Sequence, residues 1–255
     1  MRQRADGESP DGAGSTWFAA DVADVAANLA LDEALLEEAH STPAAGRVVR
    51  SWMAARPTVV LGSSSRVEEE VDLEACRRLG VDLLRRPSGG LTVVLGPGCV
   101  MWSVITGYPA GAPTVDVLHD DVLDPLCAAL AAAGSSVVRR GSSDLAIVTD
   151  DGERKVSGNA LRVRRHAVLY HGTLLDDFDL DLVSQVLRHP PREPAYRAGR
   201  GHAAFLANLR LGRTAIDAAL RNAFATTTVR ADPPRERMAQ LVAERYASAA
   251  WTLRR

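Results

Sequence analysis

Cysteine is scarce in this chain of 255 residues: there are three, Cys76, Cys99 and Cys127, odd in number and far apart. Such spacing excludes a disulfide framework and a Cys-built zinc site. It fits a reducing, cytoplasmic setting in which each thiol packs as a small hydrophobe. An excess of either charge is lacking too, and a formal net charge of −2 gives no general attraction to nucleic acid or to an anionic membrane. No apolar run approaches the roughly 20 residues that cross a bilayer. The first residues carry Arg2, Arg4, Asp6 and Glu8 and no apolar segment, so they do not read as a secretory signal. Internal repeats and heptad seams are absent. So are the common catalytic signatures: no GxxxxGK(S/T) phosphate loop, no GxGxxG after the first strand, no HExxH pair and no GxSxG elbow. The nearest approach to the elbow, Gly62-Ser63-Ser64-Ser65-Arg66, has arginine where the second glycine should stand. Hydrolase, dehydrogenase and zinc-enzyme chemistry are thereby disfavoured.

What the chain does contain is an ordinary globular composition, 46% apolar and 24% charged, enough for one large core. Residues 1–15, rich in glycine, serine and charge, are expected to be a disordered lead-in to a single domain over 16–255. A helix is expected over 21–40, where Val25, Leu29, Leu31, Leu35 and Leu36 fall on or near one face and Glu33, Glu37 and Glu38 lie mostly opposite. Short strands follow at 47–53 and 57–61, then a helix over 67–79 stopped by Gly80. A strand at 81–84 feeds two arginines, and strands 92–95 and 99–105 are joined by the tight turn Gly96-Pro97-Gly98. A long helix over 114–133, capped by Thr114 and closed by Gly134, contains Pro125, which should kink or interrupt it. Strands at 136–139 and 145–148, a hairpin of 160–163 with 167–175, and helices at 179–187, 214–225 and 235–247 complete the pattern. Strands and helices mix without regular βαβ alternation. The expected class is therefore α/β of the α+β kind, a mixed and largely antiparallel sheet flanked by helices.

Two stretches carry chemistry. In Arg85-Arg86-Pro87-Ser88-Gly89-Gly90, the glycines let a ligand approach the backbone and leave N–H groups to face an anion, and the arginine forks suit phosphate or carboxylate. Alone, Ser-Gly-Gly is also an ordinary turn. The second stretch, Lys155-Val156-Ser157-Gly158-Asn159, follows an Asp150-Asp151-Gly152 turn, where an isolated lysine is usually just solvated.

Four features in fixed order are RRPSGG at 85–90, GPG at 96–98, KVSGNA at 155–160 and HGTLL at 171–175. With PTVVLG at 57–62, DLDLVSQVLRHP at 179–190 and YRAGRGH at 196–202, they resemble the lipoate–protein ligase A family over roughly residues 20–210. That family is related to the biotin–protein ligases within the class II synthetase-like fold. Biotin ligases carry a GRGR-type loop in place of RRPSGG, so lipoate or octanoate fits better than biotin. The resemblance implies a two-step reaction. ATP and a carboxylic acid give an acyl-adenylate and pyrophosphate, and a lysine of a lipoyl-domain acceptor protein then attacks the mixed anhydride. It implies Lys155 as the catalytic residue, lying against both the acid's carboxylate and the α-phosphate. Arg86 would hold phosphate, while Ser88, Gly89, Gly90 and the backbone of Leu91, Thr92, Val93 and Val94 would wrap the adenylate. Gly158, Asn159 and Ala160 would pass close by the acyl head, and Asp144 would take a Mg2+ or adenosine role. An eight-carbon chain buried at ~0.8 kcal/mol per methylene would contribute roughly 5 kcal/mol, which calls for an apolar slot.

The chain departs from the family pattern twice: Leu91 replaces the third glycine, and Leu95 replaces the histidine that usually follows. Only ~45 residues remain after the catalytic region, fewer than a typical domain, so the small C-terminal accessory domain is expected to be missing. A separate accessory-domain subunit is then a candidate partner. Two rivals stay open. One is an octanoyl or lipoyl transferase working through an acyl-thioester, disfavoured because residues 137–144 contain no cysteine and none follows Lys155. The other is a non-catalytic lipoyl-adenylate-binding module, which Leu91 and Leu95 would suit.

Overall fold

Two strands that are apolar at odd and even positions alike form the centre of the molecule. In the computed structural model, which describes residues 14–254 apart from 21 and 23, β6 (Cys99–Gly107) and β11 (Ala167–Leu175) are buried end to end and pair antiparallel. A strand covered on both faces has no solvent side to keep polar, which is why apolar residues occur at both odd and even positions here, interrupted by the buried polar Ser103, Thr106, His171 and Thr173. They sit inside a six-stranded sheet ordered β10 (Asn159–Arg164), β11, β6, β2 (Arg47–Met53), β1 (Ser15–Phe18), β12 (Thr226–Arg230). Pairing is antiparallel from β10 to β2, whereas β1 runs parallel to both of its neighbours.

Each face of the sheet has its own core. Met101, Ile105 and Leu169 pack with α1 (Val25–Ser41), while Val100, Trp102, Val104, Tyr170 and Leu174 pack with α4 (Val115–Ala132) and α7 (Arg213–Ala223). On the α1 side, β3 (Thr58–Leu61) lies between β4 (Asp82–Arg85), parallel to it, and β5 (Val93–Leu95), antiparallel to it. A third sheet is the antiparallel meander β7 (Val137–Arg140), β8 (Asp144–Thr149), β9 (Gly152–Ser157). Short helices α2 (Val67–Glu70), α3 (Leu73–Leu79), α5 (Leu180–Val186) and α6 (His202–Phe205) fill the connections. After β12, α8 (Arg235–Leu241) runs into a π-helical turn, Val242–Tyr246, and α9 (Ala249–Thr252) follows. Fold class is as expected, a mixed and mainly antiparallel sheet flanked by helices. Among the described residues no helix is long and apolar enough to cross a membrane.

Several local expectations give way to tertiary context. The turn at 96–98 does not close a hairpin: β5 pairs with β3, and β6 enters the central sheet between β11 and β2. Turn chemistry fixes the bend but not which partner each arm finds. The helix expected over 67–79 is broken at Val71, which bridges to Leu187, and Asp72 starts α3 by accepting from the Ala75 N–H at 2.9 Å. Helix α4 continues through Pro125, with Leu118, Val122 and Leu123 buried on one side of it and Leu126 and Leu130 on the other. Its Thr114 makes no side-chain cap bond. Glu33 is buried rather than solvent-facing, because the C-terminal segment covers α1: Arg245 pairs with it, and the Tyr246 hydroxyl donates to it at 2.7 Å. The lead-in of 1–15 lies outside the described residues up to 13, and Ser15 already begins β1.

Candidate active site

The strand register fixes where the polar residues of the central sheet go. His171 and Thr173 lie opposite Ser103 and Met101, on the α1 face of the sheet. There they line a cavity of about 510 Å³ together with Lys155, Asp144 and Gly90. A separate cleft of about 570 Å³, between the start of α1, β4 and α9, contains none of the residues singled out by the sequence.

Lys155 reaches the cavity because β9 is irregular. Ala146 pairs with Lys155 but the next partner pair is Leu145 with Ser157, so Val156 is an extra residue in the ladder. Such a bulge re-aims its neighbours. Val156 is fully buried, and the Lys155 side chain keeps 26% of its exposure at the cavity wall. Behind the strand, the Lys155 carbonyl accepts from the Ala207 N–H at 3.0 Å. The ammonium pairs with Asp144 Oδ1 at 2.7 Å, and Asp144 Oδ2 accepts from the Tyr196 hydroxyl at 3.0 Å. Burial, and then the Asp144 charge, pushes the Tyr196 hydroxyl up, so it remains a donor. A Cβ on Gly158 would stand 3.0 Å from Lys155 Nζ. Glycine therefore gives the ammonium its place.

The neighbouring Asn159 plays a bracing part. Its Nδ2 donates to the Ser143 carbonyl at 2.5 Å, its Oδ1 accepts from Ser157 Oγ at 3.0 Å, and a Cβ on Gly172 would collide with that Oδ1 at 1.7 Å. The side chain so ties loop 141–143 to the end of β9 and packs against Gly172 of β11. Asn159 and Ala160 both line the cavity.

The glycine loop is held from beneath. Arg86 is 5% exposed and donates to the carbonyls of Val60 (3.1 Å), Gly89 (2.6 Å) and Leu91 (2.9 Å) and to Ser88 Oγ (3.1 Å). Burial pulls its pKa down to about 10, partly offset by Glu70, so the group stays charged near neutrality. Arg86 was expected to hold phosphate. In the structure its guanidinium clamps the loop, because a buried fork must satisfy its donors and backbone carbonyls are the nearest acceptors, and Arg86 also lines the cavity. Arg85 is likewise buried, with its donors on the carbonyls of Gly62, Ser65, Thr252 and Arg254. Glu70 fixes the far side, accepting from the Thr92 N–H at 2.8 Å and hydroxyl at 2.7 Å. Gly90 adopts φ +87°, and a Cβ on Gly62 would meet its carbonyl oxygen at 1.8 Å.

Of the residues expected to contact the ligand, Arg86, Gly90, Leu91, Thr92, Val93, Asp144, Lys155, Gly158, Asn159 and Ala160 line the cavity. Ser88, Gly89 and Val94 do not. The Ser88 hydroxyl is buried 2.6 Å from His171 Nε2, the Gly89 carbonyl receives Arg86, and Val94 packs in the core. Burial pulls the His171 pKa down to about 4, against the nearby Asp32 carboxylate, so the ring is neutral at ordinary pH. Apolar lining comes from Leu29, Val60, Val93, Leu95 and Met101. Tyr196, Thr173, Glu70 and Arg192 were missed as site residues. Tyr196 and Thr173 carried a sequence signal, within YRAGRGH and HGTLL.

No cysteine lines the cavity. Burial pushes the Cys99 and Cys127 thiols up to about 12 and about 11, far from a reactive thiolate. Asp144 engages Lys155 through one oxygen and Tyr196 through the other, and no group of three His, Cys, Asp or Glu side chains is placed to hold an ion among the described residues, so a divalent ion here would depend on donors brought by the ligand.

Comparison with known proteins agrees with this geometry. The family model described as Lipoyl protein ligase A/B catalytic domain matches residues 24–225. The octanoyltransferase LipM of Carboxydothermus hydrogenoformans is 29% identical over 259 residues, covering 90% of this chain and 94% of its own. A Thermoplasma acidophilum structure, described as a bi-partite lipoate protein ligase and its E2 lipoyl domain, superposes with a TM-score of 0.77 at 23% identity, over 94% of this chain and 96% of that one. A lipoate-protein ligase A bound with ATP gives a TM-score of 0.76 at 21% identity, over 94% and 98%. At such identities the structures speak to fold, and the family match speaks to kinship. This chain belongs to the lipoyl protein ligase A/B catalytic-domain family.

Proposed function

We propose that the protein is a lipoate–protein ligase, which joins lipoate or octanoate to AMP and passes the acyl group to a lysine of a lipoyl domain. One observation carries the reading: the Lys155 ammonium lies at a cavity that combines glycine backbone and apolar walls and has no thiol. In the first step two anions meet, the acid's carboxylate and the α-phosphate. An ammonium between them offsets their repulsion, and at ~4 Å and an effective dielectric near 20 each contact is on the order of 4 kcal/mol before desolvation. The incoming oxygens compete with Asp144 for that ammonium, and Tyr196 keeps Asp144 hydrogen-bonded meanwhile. A carboxylate oxygen bonds to the α-phosphorus and pyrophosphate leaves. In the second step the acceptor amine attacks the anhydride carbonyl, a C–N bond forms, and AMP departs with the bridging oxygen. Lys155 stabilises the oxyanion that develops. Gly90, Leu91 and Thr92 contribute the backbone that wraps the adenylate. Leu95, in place of the family histidine, extends the apolar wall for the acyl chain.

The acceptor and partner proposals draw on the T. acidophilum relative, whose structure is described with a lipoyl domain and as bi-partite. A separate accessory subunit is accordingly included in the reading. The octanoyltransferase name of the curated relative favours a second reading, ATP-independent acyl transfer through an enzyme thioester. The absence of cysteine from the cavity speaks against it.

The test is a mass measurement on a lipoyl domain incubated with the protein. One arm has ATP, magnesium and lipoate or octanoate, and another has octanoyl-carrier protein without ATP. An acyl mass shift in the ATP arm is the expected result. A shift in the carrier arm alone would transfer the assignment to the second reading, and none in either, with cell lysate added to supply a partner, would leave a binding module.

A further inference from the structure

We infer that Trp251, Thr252 and Arg254 form a clip that sets the position of the glycine loop, with Arg85 as its hub. The inference deepens the ligase reading, since it concerns the loop assigned there to the adenylate. Arg85 is fully buried and reaches two segments at once. Its Nη1 donates to the carbonyls of Gly62 at 2.7 Å and Ser65 at 2.8 Å, while Nε donates to Thr252 at 2.9 Å and Nη2 to Arg254 at 2.9 Å. The clip answers in kind. Trp251 Nε1 donates to the Arg85 carbonyl at 2.9 Å, and Arg254 donates to the Ser63 carbonyl at 3.2 Å with its guanidinium 3.5 Å over the Trp251 ring.

The segment so held, 62–65, is the support of the glycine loop. The Ser63 N–H donates to the Ser88 carbonyl at 2.8 Å, Ser65 Oγ reaches the Gly90 carbonyl at 3.4 Å, and the Gly90 carbonyl rests against Gly62. Arg86 completes the frame from the other side, its N–H donating to the Leu61 carbonyl at 2.9 Å. A continuous set of hydrogen bonds thus runs from the clip through Arg85 and 62–65 to Ser88 and Gly90, and Gly90 lines the cavity. None of the clip residues lines that cavity, so they act as positioning residues and not as ligand contacts. Sequence order hides this, because the clip lies far from the loop along the chain.

The experiment compares the unaltered protein with a Trp251→Phe, Arg254→Gln double variant and with Leu253→Ala. The double variant removes the two clip bonds and keeps bulk, whereas Leu253 is 53% exposed and makes none of these side-chain contacts. Hydrogen exchange is followed at the amides of Ser63 and Arg86, with the β6–β11 ladder as internal reference. Binding of octanoyl-sulfamoyl-adenosine, a non-hydrolysable mimic of the adenylate, is measured by calorimetry, and KM for ATP is determined beside kcat. Faster loop exchange in the double variant, with binding and KM weakened roughly three- to tenfold and the ladder and Leu253→Ala unchanged, is expected. Unchanged loop exchange overturns the inference. So does faster exchange with unaltered binding and KM, which would make the clip a purely structural brace. Failure of the unaltered protein to bind the mimic or to turn over sinks the adenylate reading instead, and the clip's hold on the loop is then decided by exchange alone.

Discussion

Replacing Lys155 by methionine keeps the length of the side chain and removes its charge. Two effects separate cleanly. On stability, the ion pair with Asp144 is partly exposed, 26% and 16% for the two side chains, so its loss costs about 1 kcal/mol. Asp144 retains the Tyr196 hydroxyl as partner. A melting temperature lower by about 2–4 °C is the corresponding change for a chain of this size. On activity, the ligase reading sets the ammonium against charge that develops in both steps, and removal of one such group costs about a hundred- to thousandfold in rate. The assay has two readouts, pyrophosphate release with ATP and octanoate, and the acyl mass shift of a lipoyl domain. Both should fall together. Arginine should not rescue either, because its broader fork must fit beside Gly158, where even an added Cβ would stand 3.0 Å from the ammonium. A Lys155→Met protein that is folded and works within about threefold of the original would refute the assignment.

Gly158→Ala places a methyl 3.0 Å from Lys155 Nζ and 3.1 Å from Cε, so the ammonium must shift by a few tenths of an ångström. Activity should drop about tenfold, with a melting temperature close to the original, measured by the same mass shift and by thermal unfolding. Replacing Cys76, Cys99 and Cys127 together by alanine should leave ATP-dependent acyl transfer within about threefold; abolished transfer would point to a thioester route. His171, whose pKa lies at about 4 against 6.5 for the free ring, binds its proton more weakly when folded. Its contribution to stability is therefore complete above pH 6.5 and declines as pH falls through that value toward 4. Denaturant titrations between those limits should show a gentler loss for His171→Gln than for the unaltered protein, and parallel curves would contradict the shift.

Much of the fold was legible because its main signals are local. The Gly96-Pro97-Gly98 turn marked the start of β6, and the hairpin of β10 with β11 followed from its turn. What escaped depends on partners distant in sequence. Strands β1 and β12 are short, one of them mostly threonine, and they pair parallel across the length of the chain. The separation of β5 from β6 likewise follows from pairing with β3, which no turn residue specifies. In the site, the resemblance carried by KVSGNA and RRPSGG named Lys155 and the glycines, and the structure brings Lys155, Gly90 and Gly158 to one cavity. The direction of Arg86 was not readable. A guanidinium suits a phosphate and a trio of carbonyls equally well, and only burial decides between them. Tyr196 meets Asp144 across 52 positions, a contact that no periodicity encodes.

The double-sided burial of β6 and β11 has a practical corollary for redesign. Alternate residues along these strands belong to different jobs: 101, 171 and 173 belong to the cavity side, while 100, 102, 104, 170 and 174 belong to the core shared with α4 and α7. On the ligase reading a library restricted to the first set probes which acyl chains are accepted, at the cost of positions where Met101 also packs with α1 and His171 also holds Ser88. One that strays into the second set trades away the sheet itself.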